Sequence, residues 1–199
     1  MKLILASSSP RRAEVLRDAG IAFDVCASRV EELPRSGEPA RAMVARLAEA
    51  KARATLPQAR NCKQDCIVIG ADTAVELDDK ILGKPRDAAH ASEMLAALSG
   101  RTHYVLTGIF LIRLPDGATR SAVECTSVTF CQLGPEEIEA YAWSREPLDK
   151  AGAYAIQGRA GRYIPRIEGC YFNVVGLPLA RLHALLRELG WSGNQAPMN

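Results

Sequence analysis

Aromatic residues are scarce, making up 6% of the 199 positions, and neither sign of charge dominates: 25 Lys and Arg stand against 23 Asp and Glu, a formal net charge of +2. A general nucleic-acid binder carries a basic surplus, so the balance argues against that class and confines any anion site to a local cluster. Histidine occurs only at His90, His103 and His183, without the paired spacing of zinc ligands. The six cysteines, Cys26, Cys62, Cys66, Cys125, Cys131 and Cys170, follow no disulfide framework. Free thiols in a reducing compartment are expected, with the Cys62 and Cys66 spacing incidental. No apolar run approaches the ~20 residues of a membrane span. The apolar start, Met1 to Ala6, is shorter than the roughly 7 to 15 residues of a signal-peptide core. The sequence therefore predicts a cytoplasmic protein without a membrane partner. Repeats and low-complexity tracts are absent, as are the Walker A pattern and the Gly-x-Ser-x-Gly elbow of serine hydrolases.

What is present is an ordinary globular balance, 48% hydrophobic and 24% charged, long enough to bury a core without crosslinks. Leu3 to Ala6 reads as a buried strand. Ser7-Ser8-Ser9-Pro10 leads from it into a helix from Arg11 to Ala19, with Ser9 as its N-cap and Pro10 at the first helical position. Ile21 to Cys26 reads as a second strand, and Pro39 to Ala54 as an amphipathic helix with Met43, Val44, Leu47 and Ala48 on one face. Ile67-Val68-Ile69 fits a central strand that ends at Gly70-Ala71-Asp72-Thr73. Asp78-Asp79 marks a turn, and Asp87 caps a further helix closed by Gly100. Tyr104 to Leu114 and Ser121 to Leu133, joined by Pro115-Asp116-Gly117, read as an antiparallel pair. Helices at Pro135 to Trp143 and Pro178 to Leu189, and a strand pair around Tyr163 to Ile167, complete the pattern. These elements predict an α/β fold on a mixed sheet flanked by helices, one domain over residues 1–190 with two lobes around a cleft, and a flexible tail over 191–199.

Five segments could carry chemistry, and each has a plainer reading beside it. Ser7-Ser8-Ser9-Pro10-Arg11-Arg12 combines a helix N-terminus with two arginines, which suits phosphate, although a capped helix with solvated arginines explains it equally well. Asp72-Thr73 follows an apolar strand, where a carboxylate can reach into a cleft to orient water or hold a cation; a turn or cap residue is the alternative. Lys84 on the rigid loop Gly83-Lys84-Pro85-Arg86-Asp87, and Lys51 on the striped helix, could each contact phosphate or simply be solvated. Glu31 and Glu32 could share a divalent cation with phosphate oxygens and water, or be surface charge. The small residues from Asp149 to Gly158 allow close backbone approach, and Gln157 could pair with a base edge; a glycine-rich turn is the plain reading.

Together these segments resemble the Maf family of nucleotide pyrophosphatases, from Leu3 to about Leu189. Leu5-Ala6-Ser7-Ser8-Ser9-Pro10-Arg11-Arg12, Gly70-Ala71-Asp72-Thr73, Gly83-Lys84-Pro85-Arg86-Asp87, Leu98-Ser99-Gly100-x-x-His103, Asp149-Lys150-Ala151-Gly152-Ala153-Tyr154 and Asn173-Val174-Val175-Gly176-Leu177-Pro178 follow in the family's order. The resemblance implies an elongated, two-lobed fold with a central cleft, similar to inosine triphosphate pyrophosphatases. It also implies hydrolysis of a nucleoside triphosphate to monophosphate and pyrophosphate with a divalent cation, Mg²⁺ or Mn²⁺. Asp72 aligns with the proton acceptor. Ser7, Arg12, Lys51 and Lys84 match positions that handle phosphate, and Glu32 matches the metal position. Arg11, Thr73 and Gln157 resemble the dTTP/UTP type; the 7-methyl-GTP type carries tryptophan, glutamine and glutamate there, better suited to a cationic methylated purine. Ser144-Arg145-Glu146-Pro147 and Cys170 depart from the family's usual residues. Two rival readings are the same reaction on 7-methyl-GTP and a nucleotide-binding inhibitor of septum formation. A homodimer is compatible with the resemblance.

Overall fold

The computed structural model describes residues 1–59 and 64–193. In it the apolar N-terminal run forms β1 (Lys2–Leu5), which pairs in parallel with β2 (Asp24–Val25) and with the long strand β3 (Cys66–Leu77). β4 (Lys80–Leu82), β5 (Thr102–Leu114), β6 (Thr119–Thr129) and β7 (Arg166–Glu168) complete a seven-stranded sheet of order β2-β1-β3-β5-β6-β7, with β4 paired to β3. All pairings beyond β1–β3 are antiparallel. Around the sheet lie α1 (Pro10–Asp18), α2 (Ala40–Ala54), α3 (Leu56–Ala59), α4 (Ala88–Leu98), α5 (Pro135–Ala142), α6 (Tyr171–Val175) and α7 (Leu179–Glu188). This is the mixed-sheet α/β architecture that the alternating elements predict.

Strand alternation decides what each face of β3 meets. Cys66, Val68, Gly70, Asp72 and Ala74 face α2, whose stripe of Met43, Val44, Leu47, Ala48, Lys51 and Ala52 is buried. The contact is close because two glycines lie beneath the helix. A Cβ on Gly70 would overlap the Ala48 carbonyl oxygen, and one on Gly108, which pairs with Asp72, would overlap the Val44 carbonyl oxygen. The opposite face carries two apolar clusters. One gathers Leu5, Ile69, Leu111 and Val15 of α1 with Leu182, Leu186 and Trp191; the other gathers Val75, Val105 and Phe130 with Leu95 of α4 and Tyr141 of α5.

Several local expectations are corrected. β3 does not end at Gly70 to Thr73: β5 pairs with it without interruption from Cys66 to Glu76, so the small residues are carried through and Asp72 sits mid-strand. The second strand shrinks to Asp24–Val25, and the expected strand pair near Tyr163 is the single short β7, which pairs with β6 instead. Ser9 occupies the N-cap position of α1 but makes no capping bond through its side chain; its own N–H donates to Ser7 Oγ at 3.2 Å. Asp87 does cap α4, accepting from the His90 N–H at 2.8 Å. Asp78 and Asp79 turn the β3–β4 hairpin with φ of 52° and 59°, the left-handed pair such a two-residue turn requires. Trp191, expected at the start of a flexible tail, is 7% exposed within the α1–α7 cluster. Residues 194–199 of that tail, and Cys62, lie outside the described residues. Among the described residues no helix is long and apolar enough to cross a membrane.

Candidate active site

The site is built around a gap in the sheet. On one edge of β3, β1 covers Cys66 to Ile69 and β4 covers Val75 to Leu77, while β5 occupies the other edge throughout. Residues 70–74 therefore have no neighbouring strand on that side. A cavity of about 520 Å³ opens there. Because β1 stops at this point, Ser7, Ser8 and Ser9 run along the cavity and α1 begins beside it with Arg11 and Arg12. Asp72 and Thr73 point to opposite faces of the strand, yet both line the cavity because it wraps the bare edge.

On the α2 face, Lys51 Nζ lies 2.6 Å from Asp72 Oδ1 and 2.6 Å from Glu32 Oε1. The close seat of α2 over Gly70 and Gly108 brings the lysine to that carboxylate. Burial raises the pKa of Asp72 above the ordinary carboxylate value, against the opposing pull of Lys51 and Arg12. Burial also works on Glu32, but there the Lys51 hydrogen bond and the charges of Lys51, Lys84 and Arg12 outweigh it and hold the carboxyl below its usual range. The two carboxylates at one lysine are thus pushed in opposite directions, with Asp72 the better proton acceptor of the pair.

On the other face, Arg12 is locked in place. Its Nε donates to the Gly176 carbonyl at 2.9 Å, Nη1 to Ser7 Oγ at 3.0 Å and Nη2 to Thr73 Oγ1 at 3.0 Å. Burial lowers its pKa, partly offset by Asp72 and Glu32. Thr73 Oγ1 is shared further with Thr107 Oγ1 at 3.0 Å, and Thr107 donates to the Asn173 carbonyl at 3.2 Å. Asn173 Nδ2 in turn donates to the Val105 carbonyl at 2.8 Å and to Thr126 Oγ1 at 3.0 Å. A guanidinium fixed through this chain of buried groups presents its remaining N–H groups in a set direction, which is what recognition of a phosphate oxygen needs.

Of the residues singled out from sequence, Ser7, Arg11, Arg12, Glu32, Lys51, Asp72, Thr73 and Lys84 all line this cavity. Gln157 does not: it lies exposed on the turn that precedes the 3₁₀ segment Arg159–Tyr163. Glu31 is also outside the lining. The loop bearing Lys84 is tied to the glycine-rich segment by the Gly152 N–H, which donates to the Gly83 carbonyl at 3.1 Å. Sequence reading assigns no role to Thr107, a hydroxyl within an apolar strand, or to Tyr154, which lines the cavity with its hydroxyl 2.8 Å from His103 Nε2. Polar residues inside otherwise apolar runs were the available signal for both.

Among the described residues no group of three or more His, Cys, Asp and Glu is placed to hold a metal ion. The donors present are the Glu32 and Asp72 carboxylates, hard oxygen ligands of which Lys51 engages only Oε1 and Oδ1. That set fits Mg²⁺ or Mn²⁺ arriving on a polyphosphate, since Mg²⁺ is commonly held by one or two carboxylates together with phosphate oxygens and water.

The sequence matches the Maf-like protein family over residues 2–189. It is 50% identical over 192 residues to a protein of Anaeromyxobacter sp. (strain Fw109-5), covering 95% of this chain and 90% of that one. It is 48% identical to one of Moorella thermoacetica, covering 95% of each, and 46% identical to one of Carboxydothermus hydrogenoformans, covering 96% and 100%. All three are named dTTP/UTP pyrophosphatase. Among solved structures, a nucleoside-triphosphatase / dITP/XTP pyrophosphatase of Mycobacterium abscessus aligns over 67% of this chain and 76% of that one, with 20% identity and a TM-score of 0.38, too low to inform the fold. A family match spanning residues 2–189, with relatives this similar across nearly their whole lengths, makes the chain a member of the Maf family.

Proposed function

We propose that this chain hydrolyses dTTP and UTP between the α- and β-phosphates, releasing the nucleoside monophosphate and pyrophosphate, in the cytoplasm. The observation that carries this reading is the meeting of Asp72, Lys51, Glu32, Arg12 and Ser7 at the bare edge of β3. Asp72, made more basic by burial, accepts a proton from water as its oxygen bonds to the α-phosphorus and the bridging bond to the β-phosphate breaks. The electron pair leaves on pyrophosphate, whose charge falls to Arg12 and Lys84. Ser7 Oγ accepts from Arg12 and from the Ser9 N–H, so its own hydrogen is free for a phosphate oxygen. Lys51 holds both carboxylates and adds positive charge between them.

A divalent cation, Mg²⁺ or Mn²⁺, would supply further neutralisation of the triphosphate when bound with the substrate, and Glu32 would be its ligand from the protein. Thr73 works indirectly, since its hydroxyl is occupied by Arg12 and Thr107. Arg11 lies on the cavity wall, and Gln157 on the exposed turn completes the set that favours a neutral pyrimidine. The relatives' names support this substrate choice. Pyrophosphate release from dTTP, UTP, dGTP and 7-methyl-GTP, with Mg²⁺, Mn²⁺ or a chelator, tests it. The expected order has dTTP and UTP fastest and no turnover with chelator; faster hydrolysis of 7-methyl-GTP would overturn the substrate assignment.

A further inference from the structure

The cavity lining mixes two chemistries. Ser7, Arg12, Lys51 and Lys84 supply polar and cationic groups, while Val105, Ala151, Tyr154, Val174 and Val175 supply apolar surface. Lys150 also lines the cavity but is paired with Asp149. The polar and cationic groups suit a triphosphate, and the apolar surface suits the base. Ala151 lies in the 3₁₀ segment Ala151–Ala153, tied through Gly152 to Gly83, and Tyr154 is tied to His103; the turn that follows them, residues 155–159, is held from outside the cavity.

Glu146, at the start of the 3₁₀ segment Glu146–Asp149, does this from behind. Its Oε1 accepts from the Arg159 N–H at 2.9 Å and from the Tyr141 hydroxyl at 3.0 Å. That hydroxyl accepts in turn from the Ala155 N–H at 3.2 Å. Tyr141 is 1% exposed, so the clamp is anchored in the core. Gly158 confirms how tightly the pieces meet. Its φ of −103° is open to any residue, but a Cβ there would overlap the Glu146 carboxylate. The position is glycine for lack of space. The turn so held, residues 155–159, carries Gln157 and adjoins Tyr154.

We propose that Glu146 is a positioning residue for nucleobase discrimination, fixing the 155–159 turn and the cavity wall from Ala151 to Tyr154 in the shape that admits the base. The inference rests on the cavity being the nucleotide site. Glu146 lies outside the cavity lining, but its charge reaches Arg11 on the cavity wall, so a variant that keeps the accepting oxygen and loses the charge is needed to separate the loop from the charge.

The test compares wild type, Glu146→Ala and Glu146→Gln on the nucleotide panel, together with amide exchange at Ala155 and Arg159. Glutamine keeps an accepting oxygen and loses the charge. Glu146→Ala is expected to raise KM for the preferred nucleotide about tenfold with kcat within about threefold of wild type. It should also shrink the preference between pyrimidine and purine triphosphates and speed exchange at both amides. Glu146→Gln should stay near wild type. If Glu146→Ala does not fold, Gly158→Ala, which drives a methyl into the carboxylate, is expected to give the same split. Unchanged KM and preference in the alanine or glycine-site variant overturn the inference, as does a glutamine variant as impaired as alanine, which would assign the effect to charge. A wild type that prefers another nucleotide overturns only the proposed substrate, and Glu146 is then read with that nucleotide. If wild type turns over none, the shift is read as the Kd for dTTP.

Discussion

Lys51 reaches from the last turns of α2 to Asp72 in the middle of β3, and the 2.6 Å contact joins side chains that are 5% and 7% exposed. A buried pair of this kind is costly to break from one side, because the survivor is left charged and without its partner. Here the survivor has a second partner: Lys51 also holds Glu32 at 2.6 Å. The arrangement allows Asp72 to exchange its proton without stranding the lysine.

Asp72→Asn follows directly. Asparagine keeps an oxygen for Lys51, so the variant should fold with a melting temperature near that of wild type. Loss of the proton acceptor is expected to lower kcat for dTTP by about 100- to 10,000-fold. Near-normal pyrophosphate release would remove Asp72 from the chemistry.

The same carboxylate sets the acid side of the pH profile. Burial raises its pKa above 3.8, so its protonated, inactive form persists to higher pH than in an exposed aspartate. As pH falls, kcat/KM for dTTP should therefore decline with a midpoint above 3.8. Rate measurements across the acid range check the sign, and a midpoint at or below that value would contradict it.

Gly108→Ala should loosen the seat of α2, since the added methyl meets the Val44 backbone. Overpacking of this kind costs about 1 to 3 kcal/mol, which for a domain of this size lowers the melting temperature by roughly 2 to 12 °C. Lifting α2 also draws Lys51 from Asp72, so kcat/KM should fall further than the loss of folded protein explains. Calorimetry and turnover on the same preparation separate the two effects.

His103 provides a stability signature away from the chemistry. Burial pushes its pKa from 6.5 down to about 4, and its Nδ1 has no hydrogen-bond partner. The unfolded chain binds the proton more readily than the folded one, so the contribution is present above 6.5 and is lost as pH falls toward 4. From pH 7 to pH 5 the loss is on the order of 2 kcal/mol. Urea unfolding at both values should show it in wild type and show it diminished in His103→Gln.

The helices and the hairpins were largely legible because each has a periodic pattern and a chemical boundary: Asp87 caps α4, and Asp78-Asp79 turns β3 into β4. The course of β3 was not. Gly70 and Ala71 look like the end of a strand in isolation, and only the partner strand β5, remote in sequence, shows that they continue it. Most of the site residues could be chosen by charge and motif, yet the pairing of Lys51 with both Asp72 and Glu32 depends on how α2 lies on the sheet. That depends on Gly108, which carries no chemical signal of its own. Gln157 could be named from its motif, but its exposed position away from the cavity lining could not.

The bare stretch of β3 also bears on how the protein avoids sticking to itself. An unpaired strand edge invites a strand from another molecule to add to it. Here the uncovered length is only residues 70–74, with β1 and β4 closing it at either end. An incoming chain would run into Ser7 on one side and the β4 hairpin on the other before it could form a ladder. The sheet can thus keep a reactive opening in its middle without offering a template for aggregation.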